Sequence, residues 1–310
     1  MTFKERLLPT QKESGLSLPG YHVWCSSPYV DKNGRIYLYA SRWREESVFP
    51  DGYMENSEIV LAVADTPLSP FTFVAPILGK RDTSYFDGMM THNPFLLPYN
   101  GKFYLYYVGC PDGKWDSRAI GVAVADHPMG PFSRPDKPLS LMPNANNPTA
   151  VVTEDGKIRL YFRDGQLRVY IAEADKPDGS YRILAENIFP KGRIEDMFVY
   201  RKNGVYDMLA EDNGGAYTGQ ERAGVLFTSE DGITFTPVPS PLAYDFTVSY
   251  TDGTQETFLR RERPVLFSHH GHEYLLNGVQ PNEGATHSIV VPMRNKNDTF
   301  QESKMDMARR

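Results

Sequence analysis

One phrase recurs five times along this chain, and a repeat of its length leaves few folds open. Its clearest copy reads Thr91-His92-Asn93-Pro94-Phe95-Leu96-Leu97, then Asn100-Gly101-Lys102, then Phe103-Tyr104-Leu105-Tyr106-Tyr107. That is a short strand opening on polar residues, a tight Asn-Gly turn and an aromatic-rich strand. A third strand follows over residues 119–125, and Gly130-Pro131-Phe132 leads into an outer one. The other copies open at Ser27-Pro28, Asn147-Pro148, Asp196-Met197 and Arg263-Pro264, and four of the five carry an Asn-Gly or Asp-Gly turn. Pro28, Pro94, Pro148, Met197 and Pro264 lie 66, 54, 49 and 67 residues apart.

Each unit holds about four short strands, and no stretch between units has a helical period. Four-stranded units repeating radially form a β-propeller, which leaves few sheet edges exposed. The chain is therefore expected to be all-β: one five-bladed β-propeller domain over residues 1–310, with four-stranded antiparallel blades. Residues 1–20 form an N-terminal arm and residues 296–310 a C-terminal tail. A solenoid suits repeats this long and variable poorly.

Composition limits the partners. With a net charge of −6 and no long basic block, neither nucleic acid nor a membrane surface is expected as a partner. No apolar run is long enough to span a bilayer. The two cysteines, Cys25 and Cys110, lack metal-ligand spacing; free thiols are expected, with a disulfide as the alternative. Since the N-terminus has no apolar signal core, the expected location is cytoplasmic, or periplasmic or secreted after removal of a leader. Oligomeric state is not legible.

Blade geometry sorts the polar residues. The loop before each inner strand and the loop after each second strand should open on one face. The first set holds His22, Trp24 and Ser27; Asp87, His92 and Asn93; Asn146 and Asn147; Arg193, Glu195 and Asp196; and Arg260, Glu262 and Arg263. The second holds residues 42–45 and 112–116, Arg163, Asp164, residues 211–213, Asn277 and Gln280. Convergent polar groups in a concavity are the default ligand site. A lone charge at a strand start is more often a solvated loop residue, so the weight rests on five blades contributing together.

These phrases, with Ile120-Gly121-Val122-Ala123-Val124-Ala125 and Gly130-Pro131-Phe132, resemble the five-bladed propeller glycosidases of glycoside hydrolase family 43 over residues 20–295; families 117 and 130 stand further off. The resemblance implies a glycosidase with catalytic carboxylates at the axial starts of inner strands. It places Glu195, within Arg193-Ile194-Glu195-Asp196-Met197-Phe198, as general acid. Two other family carboxylates are unmatched: the Asp-Pro of blade one is here Ser27-Pro28, and that of blade three Asn147-Pro148. Many relatives hold a calcium ion on the axis by way of a histidine, which makes His287 a candidate metal ligand; no cofactor is otherwise required.

Hydrolysis of a glycoside needs a proton donor and a group that activates water or attacks. Glu262 and Asp87 are candidates for the second role, although Glu262 among arginines also reads as a structural ion pair. Adjacent strand residues point to opposite faces, so only one of Glu195 and Asp196 is expected in the pocket. His22, Trp24, Arg42, His92, Asn93, Asn147, Arg163, Asp196, Glu211 and Arg263 are the candidate substrate-binding residues. Arg42, Arg163 and Arg263 would suit an acidic sugar, or else neutralise Glu195, Glu211 and Glu262. Trp24, Trp43 and Trp115 would stack on sugar rings or pack. Insertions at residues 44–54 and 244–256 would wall the pocket.

The expected function is exo-acting hydrolysis of a plant or algal oligosaccharide, with acidic sugars as one option. A phosphate-dependent phosphorylase and a non-catalytic carbohydrate-binding propeller are the alternatives.

Overall fold

A computed structural model describes residues 1–295; the tail expected over 296–310 lies outside the described residues. Blade I is built from β1 (Tyr21–Val30), β2 (Ile36–Arg44), β3 (Glu58–Ala64) and β4 (Thr72–Leu78), in that order from the axis outward. Blade II holds β5 (Met90–Tyr99), β6 (Lys102–Cys110) and β7 (Ala119–Ala125). Blade III holds β8 (Asn146–Val152), β9 (Ile158–Arg163), β10 (Val169–Ala174) and β11 (Arg182–Ala185). Blade IV holds β12 (Ile194–Lys202), β13 (Val205–Asp212), β14 (Ala223–Ser229) and β15 (Thr236–Tyr244). A hairpin of β16 (Thr247–Ser249) and β17 (Gln255–Thr257) precedes blade V, which holds β18 (Arg260–His269), β19 (His272–Gln280) and β20 (His287–Pro292).

The five-bladed expectation holds, with the expected turns: Asn100-Gly101 and Asn203-Gly204 both take positive φ between paired strands. Two blades depart from four strands. In blade II the outer strand shrinks to a bridge, Val124 N to Ser133 O at 3.0 Å and Ser133 N to Val124 O at 2.8 Å. Pro131 and Pro135 flank it and supply no N–H to extend the ladder.

In blade V the outer position is taken by the N-terminal arm. Leu8 N donates to Pro292 O at 2.9 Å, Arg294 N to Arg6 O at 2.7 Å and Ser288 N to Leu16 O at 3.0 Å. The arm then crosses to blade I, where Phe71 N donates to Gly15 O at 2.8 Å. It therefore covers the β20 edge and ties the last blade to the first. The insertion at 244–256 does not reach the pocket: its hairpin pairs with this arm through Thr10 N to Ser249 O at 3.0 Å. Aromatic and branched side chains pack between neighbouring blades, as where Tyr39 and Leu61 of blade I meet Leu105 and Tyr107 of blade II.

Gly15 makes the crossing possible. Its φ is +95°, and a Cβ there would stand 2.2 Å from Ser288 O. Gly20 also has a positive φ, +77°, but a Cβ there would meet open space. Gly20→Ala is therefore expected to cost only the left-handed strain, about 1 kcal/mol. Gly15→Ala should cost distinctly more, because backbone must move. Urea midpoints of the two variants check this; equal losses would show that the crossing is not tightly packed.

Candidate active site

Every inner strand breaks register with its neighbour at the same place: between Trp24 and Ser27, His92 and Phe95, Asn146 and Thr149, Glu195 and Phe198, and Glu262 and Val265. The residue following the first of each pair is left-handed, with φ of 53° to 57° at Cys25, Asn93, Asn147, Asp196 and Arg263. Each is a β-bulge, which suspends the usual alternation of side chains. Two successive residues of every inner strand can then face the axis, and two stacked rings result.

The outer ring, Trp24, His92, Asn146, Glu195 and Glu262, lines a cavity of about 210 Å3 at the mouth of the propeller. The inner ring, Cys25, Asn93, Asn147, Asp196 and Arg263, surrounds a narrow axial channel of about 40 Å3. Asp196 and Arg263 border both spaces. The expectation that only one of Glu195 and Asp196 faces the pocket is therefore corrected by the bulge. Blade I is corrected as well: register aligns Cys25, not Ser27, with Asn93 and Asn147. Pro28 is a misleading landmark, because it lies two places beyond the position of Pro94.

The inner ring is a hydrogen-bonded chain. Asn93 Nδ2 donates to Asn147 Oδ1 at 2.9 Å and to Asn146 Oδ1 at 2.8 Å, and Asn147 Nδ2 donates to Asp196 Oδ1. Arg263 Nε lies 2.9 Å from Asp196 Oδ2. Next to it, Cys25 Sγ meets His92 Nε2 at 3.5 Å. Both cysteines are free thiols.

Above this chain four carboxyl groups crowd together. Oxygens of Asp196, Glu211 and Glu262 all lie within 4.8 Å of one another. Each has a guanidinium: Arg263 for Asp196, and Arg222 for Glu262 at 2.8 Å and Glu211 at 3.2 Å. Glu195 is paired with Arg163 and also accepts from Asn213 Nδ2 at 3.1 Å. Their protonation diverges. Burial pushes Glu195 up, but Arg163, Arg263 and Arg222 outweigh it and hold this carboxyl below its usual range. Burial wins at Asp196, which is pushed up to about 7 with Glu195 and Glu262 adding repulsion against Arg263. Burial and the neighbouring acids raise Glu211 far, and burial raises Glu262 against Arg260 and Arg222.

The aromatic wall comes from blade I. Residues 44–54 supply Phe49, Asp51 and Tyr53 to the cavity lining, as expected of that insertion. Trp24 meets Phe49 edge-on at 5.0 Å, Trp43 stacks on it at 5.9 Å, and Tyr53 stacks on His92 at 4.2 Å. His92 accepts or donates at Nδ1 with Ser57 Oγ at 2.8 Å, and burial, then Arg263 and Arg118, keep it neutral.

Several expected residues lie elsewhere. Asp87 is fully buried between Arg81 and Arg134 at 2.5 and 2.6 Å and takes a hydrogen bond from Tyr107 at 2.7 Å; it is a structural ion cluster and no base. Arg42 turns outward to Glu58 at 2.7 Å and lies over the Tyr21 ring. His22 packs under Trp43 and bonds Thr286 N at 3.1 Å. Asn93 and Asn147 border the channel, not the cavity, and Glu211 stands behind Glu262. His287 sits on β20 against Phe258, far out in the blade order and off the axis. Arg222 escapes a reading by repeats because it follows the loop between β13 and β14; its left-handed φ of 61° aims it at the acids.

A calcium ion on the axis does not suit these residues. The channel is bordered by the Arg263 guanidinium, and Asn147 Oδ1 and Asp196 Oδ1 are taken by amide donors; Asn93 Oδ1 is left without a partner, but it is a neutral oxygen in a channel that already holds a fixed cation. The Asp196–Glu211–Glu262 group is likewise engaged by Arg222 and Arg263. Neither millimolar calcium nor EDTA is expected to move the thermal midpoint; a clear rise with calcium would overturn this.

The model of Glycosyl hydrolases family 43 matches residues 66–233. Xylosidase/arabinosidase 43A of Humicola insolens is 30% identical over 163 residues, 44% of this chain and 43% of that relative, so the match spans less than half of the relative's length. A GH43 β-xylosidase/α-arabinofuranosidase from a compost microbial metagenome, solved in complex with xylotriose, superposes with a TM-score of 0.70 at 16% identity, covering 94% of this chain and 97% of that one. Zg3597, a family 117 glycoside hydrolase of Zobellia galactanivorans, gives 0.65 at 17% identity, over 93% and 87%.

Proposed function

The chain belongs to glycosyl hydrolase family 43, and from that premise we propose that it is an exo-acting glycosidase for a neutral plant or algal oligosaccharide, with Glu262 as proton donor and Glu195 as its ionised partner. One observation carries this reading. Glu195 and Glu262 stand in the same ring on adjacent blades, and their surroundings push their ionisation in opposite directions. Two carboxyls driven apart in this way are the mark of an acid and its counterpart. The resemblance assigned the donor to Glu195; its ion pair with Arg163 argues for the ionised role instead.

The neutral sugar follows from the arginines. Arg163, Arg222, Arg260 and Arg263 line the cavity, and each already faces a carboxylate of this same site. Binding a uronate or inorganic phosphate there would require breaking one of these pairs, which weighs against an acidic substrate and against a phosphorylase. The volume of about 210 Å3 falls below the roughly 300 Å3 of a drug-sized site and suits one sugar ring, hence attack at a chain end. The relative named as a xylosidase/arabinosidase makes plant pentosides the first substrates to try.

Kinetics of two variants test the assignment. Glu262→Gln is expected to lower kcat/KM on an oligosaccharide by about 10^2- to 10^4-fold, yet far less on a dinitrophenyl glycoside, whose leaving group needs no proton. Glu195→Gln should impair both substrates. The wild-type pH profile should be a bell: activity falls as pH drops through the depressed Glu195 and as it rises through the raised Glu262. Loss of the alkaline limb in Glu262→Gln agrees with this reading. The opposite substrate pattern would return the donor to Glu195, and full activity in both variants would refute catalysis by this pair.

A further inference from the structure

We propose that Trp115 is the binding platform for the leaving-group sugar, the second ring of an oligosaccharide whose terminal ring occupies the cavity; this rests on the glycosidase reading above. Three tryptophans border the cavity, but they are not equivalent. Trp24 and Trp43 are 4% and 1% exposed and serve as packing, whereas Trp115 is 46% exposed. An indole left in water forgoes the gain of burying it, and a large apolar group kept exposed beside a ligand cavity marks a contact surface.

The indole is also held in place. It lies on the turn Trp115–Ser117, where Asp112 accepts from Lys114 N at 3.1 Å and from Ser117 Oγ at 3.1 Å. The buried Arg118 covers one ring face at 4.5 Å and donates from Nε to Trp115 O at 3.0 Å. A second donation, Arg118 Nη1 to Tyr53 OH at 2.9 Å, fixes Tyr53, whose ring meets the indole at 5.8 Å and 90°. With Arg118 over the ring and Tyr53 in a T-shaped contact with it, nearly half of the residue still remains exposed.

Position selects the ligand. Tyr53 stacks on His92 in the outer ring, so the aromatic surface runs from the enclosed end, beside Glu195 and Glu262, out to Trp115 at the rim. A chain end bound at the carboxylates would carry its next sugar outward along this surface. The apolar C–H face of a sugar ring matches an exposed indole face, and a preorganised aromatic loses little entropy on binding it.

The test compares an oligosaccharide with the methyl glycoside of its terminal sugar, which has no leaving-group ring. Trp115→Ala is expected to raise KM for the oligosaccharide on the order of tenfold, the weight of one ring contact, and to affect the methyl glycoside far less. Trp115→Phe should restore most of the loss. Equal effects on both substrates, or none on either, would overturn the subsite. A second readout does not need turnover: in a Glu195→Gln background, oligosaccharide should shift tryptophan fluorescence more than the methyl glycoside does, and that difference should vanish in Trp115→Ala, because Trp24 and Trp43 border the cavity for both ligands. If this difference appears in a protein that turns over no substrate, the subsite stands and the glycosidase reading falls. If turnover is present without this difference or the KM change, the subsite falls alone.

Discussion

The left-handed bulge in each inner strand is the constraint on which the site depends. A regular strand would alternate its side chains and offer the axis only every second residue. By holding Cys25, Asn93, Asn147, Asp196 and Arg263 at φ near 55°, the fold brings consecutive residues inward and obtains two rings from five strands. Asn and Asp accept this backbone readily, whereas Cys and Arg do so at a cost of about 1–2 kcal/mol. At Arg263 the ion pair to Asp196 offsets that cost.

Buried carboxyls tolerate such crowding only with partners or protons. Glu195 has a guanidinium and an amide, and it stays charged. Asp196, Glu211 and Glu262 have Arg222, Arg260 and Arg263 beside them, but burial and the neighbouring acids outweigh these, and the three retain protons more readily. The same arginines that make the cluster tolerable thereby set which acid carries a proton. They also place a fixed guanidinium on the axis, linked through Asp196 and Asn147 to Asn93.

Closure of the ring supplies the rigidity that these distances require. Blade V has three strands of its own, and the arm of residues 7–16 completes it while bonding to blade I. Blade I then carries the aromatic wall, whose Phe49 and Tyr53 come from an insertion between β2 and β3. The joint between first and last blades and the wall of the cavity thus involve the same blade.

The sequence by itself determined the five units, their turns and the end of the molecule at which polar residues collect, because these follow from alternation and from Asn-Gly and Pro chemistry local to a few residues. It also pointed to Glu195 and Glu262. What it could not determine was direction. Arg42 and Arg163 both lie near the ends of second strands but one register place apart, opposite Val23 and Asn146 respectively, and Glu58 holds one outward while Glu195 holds the other in the cavity. Asp87 looked free in sequence and is bound by Arg81 nearby in the chain and by Arg134, 47 residues on. The alignment of Cys25 with Asn93, the inward aim of Arg222 and the opposed ionisation of the acids arise from register and from partners on other blades. Only the tertiary structure could decide them, since each depends on strand pairing or on charged partners that the fold brings together.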